Sequence, residues 1–233
     1  MLSDYTRLFR PWTLVLIANL LYLAIIFATN SGDPKVFVTL GECFSQCRAQ
    51  DGSACDEGTE GYDGQFAYYI ARDPLDTPDC LDVPAYRMQR ILLPALGRLL
   101  SLGQTALIPW AFVVINLAAL VGGTVLLESL LIEGRASRWF ALSYGLFVGV
   151  FMAVRLSTTE SLAYGLVIGG IWLIHKNRLG TGSILLALAV LAKETTALFV
   201  IGYVLYFALN RRWSDAIRLG IITAIPFLAW QIV

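Results

Sequence analysis

Two stretches of the chain, residues 11–32 and 99–127, carry no charged side chain. Each exceeds the roughly 20 residues that a helix needs to cross the hydrocarbon of a bilayer. The composition points the same way: 57% of the 233 residues are hydrophobic and only 15% charged, with a mean hydropathy of +0.67. That balance excludes an ordinary soluble domain and predicts an all-α integral membrane protein. Shorter apolar runs follow at 139–154, 161–174, 179–192, 195–210 and 219–233. Counting them gives about seven transmembrane helices, with the polar residues between the short runs lying near or inside the headgroup layer. The first run is expected to stay in the mature chain, because its apolar core is too long for a signal peptide and no small-residue cleavage pattern follows it.

Basic residues give the orientation, since Lys and Arg near span ends favour the cytoplasmic side. Arg7, Arg10, Arg135, Arg138, Lys176, Arg178, Arg211, Arg212 and Arg218 all fall on one side when the spans alternate. The expectation is a multi-pass protein of the plasma (inner) membrane with a cytoplasmic N-terminus and residues 30–86 outside. That outer segment holds most of the chain's 17 acidic residues, against only Lys35, Arg48 and Arg72, so the zero net charge conceals a separation by side. Three parts result: 1–29, the N-terminus and first span; 30–102, the outer loop; and 103–233, a bundle of about six helices.

All four cysteines, Cys43, Cys47, Cys55 and Cys80, lie in the outer loop. Their compartment favours two disulfides that hold the loop compact, with three connectivities open. A zinc site is the other reading, disfavoured because the loop lacks Cys-x-x-Cys pairs and histidine. Residues 84–102 read as an interfacial amphipathic helix. Met88, Ile91 or Leu92, Ala95 and Leu99 recur on one face, with Arg87, Arg90, Pro94, Arg98 and Ser101 on the other. Pro94 is expected to kink or interrupt it. Arg87 and Arg90 project together, either to hold an anionic phosphate or to anchor the helix among lipid headgroups.

Charges also interrupt the later apolar runs. Arg155 and Glu160 bracket one connection, and Lys193 and Glu194 stand in another. They are read either as plain polarity of short loops or as the lining of a wet cavity, with Arg155–Glu160 and Lys193–Glu194 as the available ion pairs. The topology delivers these four, with Asp63, Arg87 and Arg90, to one membrane face. Such a set combines a general base with cations for a phosphate.

The segment Gly61-Tyr62-Asp63-Gly64-Gln65-Phe66 is followed by Ala71-Arg72-Asp73-Pro74, by Tyr86-Arg87-Met88-Gln89-Arg90-Ile91-Leu92-Leu93-Pro94 and by Leu191-Ala192-Lys193-Glu194-Thr195. In that order they resemble the polytopic membrane glycosyltransferases of the GT-C superfamily. The resemblance implies a sugar donor on a polyprenyl phosphate and Asp63 as the catalytic base toward an acceptor hydroxyl. It further implies Arg87, Arg90, Arg155 and Lys193 near the departing phosphate, and Glu160, Glu194, Tyr62 and Gln65 among the substrate-binding residues. Enzymes of that superfamily are longer, so the expectation is a shortened or reduced relative. A divalent metal is not predicted, because no second acid stands beside Asp63. The rival reading is a noncatalytic multi-pass scaffold subunit with membrane-protein partners, for which Gly145 with Gly149 and Gly165 with Gly169 offer close helix packing. Membrane lipids are expected partners; nucleic acid, haem and pigment are not. The single histidine, His175, beside Lys176, reads as interfacial.

Overall fold

The computed structural model describes residues 10–44, 58–74 and 81–232. Among them every regular element is helical. The chain enters α1 at Pro11–Thr29 and passes a short 3-10 turn at Pro34–Phe37. The segment expected to form the outer loop contributes α2 (Gly64–Arg72), α3 (Pro84–Met88) and α4 (Leu92–Leu100). The bundle follows as α5 (Ile108–Glu133), α6 (Leu142–Gly145), α7 (Val148–Leu156), α8 (Glu160–His175), α9 (Leu179–Ala192), α10 (Ala197–Leu209) and α11 (Trp213–Trp230).

Among the described residues two helices are long and apolar enough to cross a membrane: α1 and the continuous Thr105–Glu133 segment that contains α5. A third candidate appears if Arg138–Gly145 and Val148–Leu156, bent by 51° at their junction, count as one span. The later apolar runs form helices as expected, but α8, α9 and the Glu194–Leu209 segment have 10–17 residues. At 1.5 Å per residue they fall short of a hydrocarbon core about 30 Å thick. Helix α5 is the central post, with α1, α4, α7 and α8 against it, while α9 joins α8 to α11. Only 17% of the α1 window is buried, and Ile17, Leu21, Ile25, Leu205, Ile221 and Leu228 are exposed. Apolar side chains facing outward over this much surface suit a hydrocarbon solvent and would be a liability in water.

Small residues set the helix spacing. A Cβ on Gly145 would come within 2.4 Å of Val15 Cγ2, and one on Gly165 within 2.6 Å of the Ala119 carbonyl oxygen. Gly169 faces Leu185, whereas Gly149 is exposed. Three of the four glycines singled out by spacing therefore serve packing within the bundle.

The segment expected to be one interfacial helix differs from that expectation in two ways. It is split into α3 and α4 at residues 89–91, upstream of Pro94 rather than at it. Pro94 lies in the first turn of α4, where its missing N–H has no intrahelical partner to lose, while its ring disfavours continuing the helix back through Arg90. The faces are also inverted: Leu93, Pro94, Gly97 and Ser101 are buried, whereas Leu99 is 71% exposed. Pro94, Gly97 and Ser101 go inward with Leu93 because Gly97 lets α4 approach the ring of Phe112, while Leu99 and Leu100 turn outward. Cys43 is the one cysteine among the described residues, and it is not a free thiol. Cys47, Cys55 and Cys80 lie outside the described residues.

A Cβ on Gly97 would stand 2.1 Å from Phe112 Cε1, whereas one on Gly122 meets nothing within 4 Å. Gly97→Ala should therefore destabilise the bundle by about 1–3 kcal/mol. Gly122→Ala should be neutral or stabilising by up to about 1 kcal/mol. Thermal unfolding of both variants in detergent reads the contrast.

Candidate functional site

The turn that carries Asp63 is built by close backbone approach. Gly61 has φ +74°, and a Cβ there would lie 2.5 Å from the Gly41 nitrogen. Gln65 pins the turn from inside: its Oε1 accepts from the Gly41 N–H at 2.9 Å, and its Nε2 donates to the Glu60 carbonyl at 2.6 Å. The Tyr62 N–H donates to the Thr39 carbonyl at 3.0 Å. At Gly64 any Cβ would come within 2.1 Å of the Leu156 carbonyl oxygen, so the start of α2 sits directly on the end of α7. Asp63 occupies the N-cap position of α2 but makes no side-chain capping bond. Its Oδ1 instead lies 3.1 Å from Arg87 Nη2.

Arg87 is also held by Asp82, with Nε to Oδ1 at 2.8 Å and Nη2 to Oδ2 at 2.7 Å. Its guanidinium stands 4.2 Å over the ring of Phe66. One turn on, Arg90 makes the same two-pronged contact with Glu194, at 2.9 and 2.7 Å, and donates to the Tyr86 hydroxyl. Lys193 reaches Glu160 at 2.5 Å. The pairing expected from sequence, Lys193 with Glu194 and Arg155 with Glu160, is thus replaced. Lys193 is extended (φ −156°, ψ 118°), which separates its side chain from that of its neighbour. Arg155 instead donates to Thr39 Oγ1 at 2.8 Å.

Some of these residues line a tight cleft with a cavity volume of about 30 Å³. Asp63, Arg87 and Arg90 form one side, Phe66, Ala67, Ile70 and Pro94 an apolar floor, and the Ser157-Thr158-Thr159-Glu160 turn the other side. Ser157 Oγ, Thr159 Oγ1 and Glu160 Oε2 are buried and have no hydrogen-bond partner among the described residues. Five expected residues do not line the cleft: Lys193 and Glu194 stand behind Glu160 and Arg90, Tyr62 is half exposed, Gln65 is spent on the turn, and Arg155 is tied to Thr39. Sequence reasoning missed Asp82, Tyr86 and the two hydroxyls. The signal for Asp82 was its place ahead of Pro84, one turn before Arg87, and Ser157 with Thr159 lay in the bracketed connection without being weighed as ligands. Among the described residues no group of three or more His, Cys, Asp or Glu side chains is placed to hold a metal ion.

Comparison of the chain with protein-family models, curated proteins and solved structures gives no match.

The hydrogen bond from Arg87 is the main cause that holds the Asp82 carboxyl below its usual range. Burial works against the charge of Arg87, but Asp82 and Asp63 outweigh it and keep the guanidinium above its ordinary value. A carboxyl whose folded pKa is depressed stabilises in full above its unfolded value, about 4, and loses that contribution as pH falls through the lower folded value. Asp82→Asn should therefore lower the thermal midpoint at neutral pH, and the gap to wild type should narrow progressively as pH falls below about 4. An equal gap at every pH would contradict the ion pair.

Proposed function

We propose that the chain is a membrane glycosyltransferase of GT-C type, moving a sugar from a polyprenyl-phosphate carrier to an acceptor on the extracytoplasmic side. The observation that carries the reading is the adjacency of two spaces of different chemistry. The charged cleft shares Ile70 and Pro94 with a largely apolar groove of about 490 Å³, lined also by Ile91, Ala95, Leu99 and Leu102, with Arg98 among its residues. The pair matches the chemistry of a ligand with a phosphate-bearing head, seated at the mouth of the tight cleft, and an isoprenoid tail along the groove.

In this reading Asp63 accepts the acceptor's hydroxyl proton as that oxygen bonds to the anomeric carbon. The bond from that carbon to the phosphate oxygen breaks at the same time, and its electrons leave on the phosphate. Arg87 and Arg90 stabilise the departing charge. Both guanidiniums are held by carboxylates, so an arriving phosphate that draws Arg87 away also frees Asp63 to act as base. The unpartnered hydroxyls of Ser157 and Thr159 and the free oxygen of Glu160 suit the hydroxyls of a sugar.

The same proposal takes the seven apolar runs as spans, places the N-terminus in the cytoplasm and residues 30–86 outside the plasma membrane, and pairs the four cysteines in two disulfides. The second reading, a scaffold subunit in a larger membrane complex, draws on an apolar groove between α10 and α11. Val200, Ile201, Leu205, Gly220, Ala224 and Leu228 line it, a surface that suits a partner span.

Reconstituted protein supplied with a panel of polyprenyl-phosphate sugars should transfer sugar, and Asp63→Asn should slow turnover by about 10²- to 10⁴-fold. Absence of transfer across the panel, or a variant as fast as wild type, would remove the enzyme reading.

A further inference from the structure

The far end of the bundle carries a second polar pocket, built from elements the proposed reaction does not use. Helix α8 runs away from the cleft at Glu160 to His175, and α9 starts at Leu179 and returns to Ala192 beside Lys193. The 16 residues of α8 put the two ends about 24 Å apart. The open pocket there has a volume of about 540 Å³ and gathers Arg178, Arg212 and Arg218, with Asp215 and Thr181.

Asp215 answers only one of the three cations. Arg212 lies 2.7 Å from Asp215 and 4.7 Å over the Phe207 ring. Arg178 and Arg218 have no acidic partner among the described residues. Arg218 comes from α11, yet its Nη2 would lie 3.0 Å from a Cβ on Gly180, so it reaches across to the first turn of α9. The N–H groups of that turn lack intrahelical acceptors and face the same side with the positive end of the helix dipole. Converging like charges repel one another, and an anion placed between them removes that cost.

The geometry points to a binding site for a phosphate group carrying net negative charge, held by Arg178, Arg218 and the first turn of α9. Trp213, 61% exposed beside the pocket, suits the level of lipid headgroups, where amphipathic aromatic rings collect. The phosphate therefore belongs to an anionic phospholipid of the surrounding leaflet, and its acyl chains lie along the exposed apolar side of α11, on Ile217 and Ile221. The site stands independently of the glycosyl-transfer reading.

The test uses the full chain in neutral detergent and counts bound ligands by native mass spectrometry. Dioctanoyl-phosphatidylglycerol should bind about thirtyfold more tightly than dioctanoyl-phosphatidylcholine, and Arg178→Gln with Arg218→Gln should erase the difference. Each single variant should weaken the anionic lipid about fivefold. Lys176→Ala, at the same end but outside the pocket, should leave it unchanged. Equal binding of the two lipids, or an anionic preference that survives the loss of both arginines, would overturn the site. Inorganic phosphate that binds as tightly as the lipid and displaces it would keep the phosphate chemistry but overturn the lipid as its source. The single variants and Lys176→Ala keep the test decisive if the double variant fails to fold.

Discussion

The first turn of α2 rests on the last carbonyl of α7 so closely that only glycine fits at position 64. Everything at the cleft follows from that contact. It fixes the 61–72 segment over the end of the bundle, and Gly61 with Gln65 turns the chain so that Asp63 emerges at the rim instead of capping its own helix. The Ser157–Glu160 turn begins at the same place, with Ser157 in the left-handed region at φ 51° as the chain reverses from α7 into α8. One close approach thereby brings an acid from one part of the sequence to hydroxyls and a second acid from another.

Around that contact the charges form a chain of alternating sign: Asp82 and Asp63 on Arg87, Glu194 on Arg90, and Lys193 on Glu160. Arg87 and Arg90 are only 12% and 13% exposed, so their desolvation is substantial, and the two-pronged carboxylate contacts offset it. Breaking one partner leaves a poorly solvated charge behind, which costs more than the intact pair contributes. The network is therefore better suited to hold α3, α4 and the residues before α10 in register, ready to exchange one anion for another, than to add stability of its own. Trp230 strengthens the register, its indole N–H donating to the Met88 carbonyl at 2.7 Å from the end of α11.

Much of the architecture was legible. The uncharged runs located α1 and α5, the later runs became helices α6 to α11, and Arg178, Arg212 and Arg218, expected on one side, line one pocket. The pairing of charges was not legible, because Lys193 and Glu194 are neighbours in sequence but an extended backbone sends them to Glu160 and Arg90. The faces of α4 were misread for a related reason. Helical periodicity identifies an apolar stripe, but in an apolar solvent that stripe can face outward while Gly97 and Pro94 pack inward. Gln65 looked like a ligand by its place beside Asp63; its burial and two backbone bonds make it part of the turn.

That the separated charged segments meet in one cleft is the claim on which the rest stands, and Arg90 with Glu194, 104 residues apart, states it most sharply. A double-mutant cycle with Arg90→Gln and Glu194→Gln, read by thermal unfolding of the full chain, tests it directly. The cleft predicts a coupling of about 0.5–3 kcal/mol between the two positions. Effects that add to within about 0.3 kcal/mol would place the two residues apart and contradict the account.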